Sequence, residues 1–174
     1  MNLQNHYWYF QSVIPPKVCD DIVRYANSIK DQIGVTGRFG NKKLNDSDIS
    51  DLKRERNSNI VWLYDKWIYR EIHPYVHRAN ENAGWNFEWD WSEACQFTKY
   101  GKGQYYDWHC DSFHAPYQRD DQNDPSHGKI RKLSVTVSLS DPKDYKGGEL
   151  EFDFKDVHVN QKPNIKKCKE ILPK

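Results

Sequence analysis

His109 and Asp111, one residue apart, are an imidazole and a carboxylate of the kind that hold a divalent transition metal. In an extended segment successive side chains alternate faces, so these two converge while Cys110 turns away. An imidazole nitrogen beside a carboxylate oxygen suits Fe(II), and a two-His-one-carboxylate set leaves coordination positions open for oxygen and an organic co-substrate. The pair lacks only a second imidazole. In a chain with seven His the dipeptide spacing alone is a weak signal, and its surroundings strengthen it. A turn bounded by Gly101 and Gly103 precedes three aromatics, Tyr105, Tyr106 and Trp108, which crowd the pair.

The flanking segments must position it. Ala94 to Lys99 reads as a strand leading into the turn, and Asn59 to Leu63 as another short strand. Downstream, Arg131 to Ser140 alternates apolar and hydroxyl residues with a period of two, and Glu149 to Phe152 follows the Gly147-Gly148 turn as a further strand. Trp85 to Trp91 places Trp, Phe, Trp and Trp at alternate positions, which predicts a strand with one aromatic face. The first half reads as helical. Pro15-Pro16 opens a helix running to about Ile33, with Val18, Ile22, Val23, Ala26 and Ile29 at helical spacing. Gly34 to Asn59 reads as a charged loop, and Asp65 to Asn82 as a second amphipathic helix in which Pro74 predicts a kink or a break.

The order Tyr100-x-x-Gly103-x-x-Tyr106-x-x-His109-x-Asp111, then Arg131 to Ser140, then Gly147-Gly148-Glu149-Leu150-Glu151-Phe152, resembles the prolyl 4-hydroxylase-type branch of the Fe(II)- and 2-oxoglutarate-dependent oxygenases. The resemblance runs from about Phe10 to the C-terminus, including the approach to the first helix, Ser12 to Asp20. It implies an α+β, mainly β fold: a double-stranded β-helix (a jelly-roll, cupin-like barrel) with N-terminal flanking helices. It implies Fe(II), 2-oxoglutarate and O2 as cofactor and co-substrates, ascorbate as accessory reductant, and hydroxylation of a peptide or protein C–H bond with 2-oxoglutarate converted to succinate. Carried over residue by residue, His109 and Asp111 are metal ligands, and Tyr100 and Tyr106 lie at the co-substrate. Simple alternation, however, turns Tyr106 away from His109. Trp108 and Arg119 are substrate candidates by proximity in sequence alone.

The family pattern continues with a distal His and then an Arg or Lys for the far carboxylate of 2-oxoglutarate. Both lie beyond a segment like Cys168 to Pro173, whereas this sequence ends at Lys174. The expectation is therefore a chain short of its last strands. His158, His114 and His127 read as surface residues rather than replacement ligands, and His73 and His77, with Pro74 between them, lack the Glu of a helical zinc motif. Thr136 and Ser138 share a face that lines the barrel or meets solvent. A catalytically incomplete jelly-roll binding module is the alternative. A zinc or manganese hydrolase lacks a nucleophile or general-base motif.

The remaining composition narrows the class. At 174 residues the chain suits a single domain, helical over about 1–83 and β-rich over about 84–174. A net charge of +1 without a basic stripe argues against nucleic acid, and no apolar stretch reaches membrane-span length. Cys19, Cys95, Cys110 and Cys168 are widely spaced, which points to a reducing, cytoplasmic setting rather than a disulfide scaffold. Oligomeric state leaves no mark in the sequence.

Overall fold

The computed structural model describes residues 5–37, 43–112, 115–153 and 165–167. They fall into two compact units, one from Met1–Val23, Lys66–Glu88 and Val135–Lys174, the other from Arg24–Asp65 and Trp89–Ser134. Helix α1 (Pro16–Ser28) begins at a proline, whose missing N–H costs nothing in a first turn, and buries Cys19, Ile22 and Ala26 at helical spacing. It ends earlier than the periodicity predicts. Gln32–Ile33 forms strand β1 instead.

In the first unit, helix α3 (Lys66–Asn82) runs through Pro74 without a break, burying Ile68 and Asn80. Tyr75 donates its hydroxyl to the Val13 carbonyl (2.8 Å), and Phe10 tilts against its ring. Trp85 Nε1 donates to the Asn5 carbonyl. Strands β6 (Glu151–Asp153) and β7 (Ile165–Lys167) pair antiparallel, Phe152 opposite Lys166, and Tyr7 stacks on Phe152. The strand expected over Trp85 to Trp91 is absent. The side-chain amide of Asn80 brackets the Phe87 backbone, accepting from its N–H (3.0 Å) and donating to its carbonyl (2.8 Å), and Asn86 adopts φ +51. Backbone groups satisfied by a side chain need no neighbouring strand.

The second unit carries the sheet β1-β3-β4, with β3 (Asn59–Leu63) central and antiparallel to both neighbours, and β4 spanning Cys95–Lys99. Ile60, Val61 and Leu63 of β3 are buried with Leu52. The supposed loop between Gly34 and Asn59 contains helix α2 (Asp46–Glu55) and strand β2 (Arg56–Asn57). Asn45 caps α2: its side chain accepts from the Asp48 N–H (2.8 Å) while the Asp48 carboxylate accepts from the Asn45 N–H, a reciprocal capping box. Strand β5 (Tyr105–Tyr106) pairs antiparallel with β2, Tyr106 opposite Arg56.

Arg131 to Leu139 lies outside regular strand structure, and Val135 is 52% exposed, so the alternation there does not record a ladder. Among the described residues the strands form one three-stranded and two two-stranded sheets, a mixed α+β arrangement that does not show the expected jelly roll. Nor are strands confined to the second half, since β1, β2 and β3 precede residue 64. His114, His158 and Cys168 lie outside the described residues.

Candidate metal centre

The site is built in the second unit where β5 ends. Pairing with β2 continues as far as the Asp107 N–H, which donates to the Glu55 carbonyl (2.9 Å), and the Tyr105 hydroxyl donates to the Lys53 and Arg54 carbonyls at the open end of α2. The approach is fixed by Gln104, whose Oε1 accepts from the Gly101 N–H and whose Nε2 donates to Asn57 and Asn59. Gly103 supplies the positive φ (+74) that this turn requires.

Beyond Asp107 the chain is no longer a strand, and side-chain contacts take over. Trp108 N–H donates to Asp107 Oδ1, and the Asp107 carbonyl accepts from His109 Nδ1 (2.7 Å). That bond fixes the tautomer of a neutral His109, leaving the Nε2 lone pair directed at Asp111 Oδ1, 3.2 Å away. Two lone pairs so placed repel unless a proton or a cation lies between them. Cis donors about 2.1 Å from a first-row divalent ion lie about 3 Å apart, so the separation observed fits one edge of a metal's coordination sphere. His109 and Asp111 fit Fe(II) as two donors, both open to solvent. Among the described residues no group of three metal-binding side chains occurs.

Asp111 is held from three sides. Oδ1 faces His109, Oδ2 accepts from Ser134 Oγ, and its main-chain carbonyl accepts from Arg131 Nη1. Ser112 Oγ returns the tie by donating to the Arg131 carbonyl (3.0 Å). The hydrogen bond with His109, aided by Ser134 and Arg131, overcomes burial and holds the Asp111 carboxyl down to about 2. The same contact raises His109 above its ordinary value against the effect of burial. Arg131 in turn grips Glu93 with Nε on Oε1 (2.9 Å) and Nη2 on Oε2, and the Tyr117 hydroxyl also donates to Glu93. Burial pushes the Glu93 carboxyl up, but these bonds outweigh it and leave it below its usual range.

Tyr106 does not turn away from His109. The rings stack with centroids 3.6 Å apart and 11° between planes, because alternation stops governing direction where the strand stops. The Arg56 guanidinium lies over the same tyrosine ring, 4.6 Å from its centroid, presenting a contact that strand and helix periodicity gave no reason to expect. Burial raises the phenols of Tyr100 and Tyr106, and the Arg56 charge opposes it in both. Tyr100 is half exposed, and Trp108 is 55% exposed with its indole outside the core. Arg119 is engaged within its own loop: Nε donates to Ser126 Oγ (2.8 Å), the guanidinium lies over Tyr117, and its N–H donates to His127 Nδ1. His73 and His77 lie on α3, where burial and then the neighbouring His77 lower the His73 pKa.

No helix among the described residues is long and apolar enough to cross a membrane. No curated protein and no solved structure matches the chain. Residues 95–174 match the family model described as the 2OG-Fe(II) oxygenase superfamily, a stretch that starts with β4 and contains Tyr100, Tyr106, His109 and Asp111. That match supports an oxidoreductase of dioxygenase type, using Fe(II), 2-oxoglutarate and O2, for the part of the chain that carries the candidate metal pair.

Proposed function

We propose that the chain is an Fe(II)- and 2-oxoglutarate-dependent dioxygenase of the prolyl 4-hydroxylase type, acting on a C–H bond of a peptide or protein. The observation that carries this reading is the convergence of His109 Nε2 and Asp111 Oδ1, with Nδ1 tied back and the carboxylate braced by Ser134 and Arg131. His109 and Asp111 would hold the ion, and Tyr106 fixes the imidazole plane by stacking. Iron, when bound by His109 and Asp111, would supply O2 activation and the oxidative decarboxylation of 2-oxoglutarate to succinate. Tyr100 offers a hydroxyl toward the co-substrate, and Trp108 and Tyr105 provide exposed aromatic surface suited to a peptide. Arg119, its Nε held by Ser126, is the further substrate candidate of this reading. The reading includes ascorbate as reductant and a reducing cytoplasmic setting, neither nucleic acid nor membrane being a partner.

Anaerobic addition of Fe(II) and then 2-oxoglutarate tests the proposal. Bidentate chelation by the oxoacid is expected to give a visible charge-transfer band in the wild-type chain, absent in His109→Ala and Asp111→Ala variants that retain wild-type circular dichroism. Retained iron in either variant rejects the ligand assignment. Iron binding without a band upon oxoacid addition favours a binding module of the same family over a dioxygenase.

A further inference from the structure

Arg56 is buried, 3% exposed, and tied down along one edge. Nε donates to Ser58 Oγ (2.9 Å) and Nη1 to the Val35 carbonyl (3.1 Å), while Cζ lies 4.6 Å from the centroid of the Tyr106 ring. Backbone pairing brings the two residues together, since Arg56 stands opposite Tyr106 in the β2–β5 register. Space for the cation comes from Gly34, where a Cβ would lie 2.6 Å from Arg56 Nε and 2.8 Å from Cζ. Nη2 is buried and has no hydrogen-bond partner among the described residues. An apolar side chain of similar volume would fill this space without burying a charge and an unused donor, so packing alone does not account for an arginine here. What an arginine adds is a flat cation that stacks on an aromatic face.

The other face of Tyr106 is taken by His109, with ring centroids 3.6 Å apart. Two flat groups cannot cover the same face, so guanidinium, phenol and imidazole form three layers. His109 is exposed and lies past the end of β5, where core packing does not hold its ring. The bond from Nδ1 to the Asp107 carbonyl (2.7 Å) leaves the imidazole free to pivot about that contact, and the stack fixes the plane that aims Nε2 at Asp111 Oδ1, 3.2 Å away. We infer that Arg56 is a positioning residue for this imidazole: by clamping Tyr106 from behind, it sets the surface against which His109 lies. The three-layer stack stands without any metal; its consequence for metal binding rests on the reading of His109 as a ligand.

The test begins with the metal-free wild-type chain, isotopically labelled at histidine and arginine for NMR. The Tyr106 ring current is expected to move the carbon-bound ring protons of His109 and the Nε proton of Arg56 upfield of their free-residue positions, and free-residue shifts at either residue overturn the inference. This arm needs no variant. Gly34→Ala then displaces the guanidinium while Arg56, Tyr106 and His109 all remain, and Arg56→Met removes it. In both variants the His109 ring protons are expected to move and Co(II) affinity, measured by chelator competition, to fall roughly 3- to 10-fold. An arginine with a merely structural role would lower the unfolding midpoint of these variants yet leave the folded-state His109 shifts and the Co(II) affinity at wild-type values, which overturns the inference. Transmission through Tyr106 has its own check. In a Tyr106→Leu background the middle layer is gone, so adding Arg56→Met is expected to change Co(II) affinity by less than about 2-fold, and a second loss as large as the first overturns the clamp. Should the wild-type chain bind no Co(II), the ligand assignment of His109 fails and the positioning role falls with it, whereas wild-type Co(II) binding that is indifferent to Gly34→Ala and Arg56→Met removes the role alone.

Discussion

Tyr106 and His109 lie face to face, ring centroids 3.6 Å apart at 11°, so the orientation of the candidate metal-binding imidazole is set by the last residue of β5. An aromatic pair of this kind contributes about 0.5–1.5 kcal/mol beyond its buried area. Tyr106→Leu is therefore expected to weaken metal binding by roughly 3- to 10-fold, whereas Tyr106→Phe, which keeps the ring, stays close to wild type. Competitive titration with a colorimetric chelator measures both. Equal affinities for the leucine and phenylalanine variants would show that stacking does not orient His109.

The His109–Asp111 pair has a definite pH signature in the metal-free chain. Asp111 is held down to about 2, so its contribution is complete above the unfolded carboxylate value near 4 and fades as pH falls toward 2. His109 is raised, so its contribution is complete below the unfolded imidazole value near 6.5 and is lost as pH rises through the folded one. Both side chains are more than a third exposed, which makes the effect small. The stability difference between wild type and Asp111→Asn should peak between about pH 4 and 6.5 and shrink on either side. Metal binding near neutral pH should release a proton from His109, visible as a dependence of calorimetric heat on buffer ionisation.

Arg131 reaches both Glu93 and the main-chain carbonyl of Asp111, so it couples a partly buried ion pair to the position of a metal donor. Arg131→Met strips Glu93 of its principal partner and releases the Asp111 segment. A loss of roughly 1–3 kcal/mol in unfolding free energy is expected, together with weaker metal binding. Arg131→Lys should recover little, because an ammonium cannot reproduce the two-pronged grip on Glu93. Chemical denaturation of Arg131→Met, Glu93→Gln and the double variant provides the coupling energy. An additive pair of losses would mean that the contact carries no stability.

Asn45→Ala removes the side-chain half of the α2 capping box. The expected cost is about 1 kcal/mol, read as a fall of several degrees in the thermal midpoint. Because Arg56 is the C-terminal cap residue of this same helix, Asn45→Ala should also increase hydrogen exchange at Arg56 and its strand partner Tyr106. Exchange changed only within Asp46–Glu55 would show that fraying stays local.

Helices α1 and α3 and strands β3 and β4 were legible because each carries a long or clean apolar period: Cys19, Ile22 and Ala26 recur at helical spacing, and Ile60, Val61 and Leu63 are flanked by polar residues. Helix α2 was hidden. Its apolar content is slight, so its signal lies in Asn45 and Asp48, two polar residues three apart whose mutual hydrogen bonds start a helix that periodicity does not announce. Trp85 to Trp91 shows the opposite failure, a perfect alternation without a strand, since pattern describes side chains while a strand also needs a partner for its backbone. At the site, the convergence of the His109 and Asp111 side chains was readable from their spacing. Arg56 was not, because nothing local links it to a tyrosine fifty positions later except the β2–β5 pairing.

The stretch that matches the family model starts at β4, yet the hydrogen-bonding partners of β4 and β5 are β3 and β2, both upstream of that boundary. The limit of detectable homology is therefore not a limit of cooperative folding. A polypeptide cut at Cys95 would expose the ladder edges of both strands and forfeit Arg56 with them. Expression work on this oxygenase-like segment must keep the residues from the start of α1 at Pro16 onward, or it will be studying an unpaired sheet edge prone to self-association.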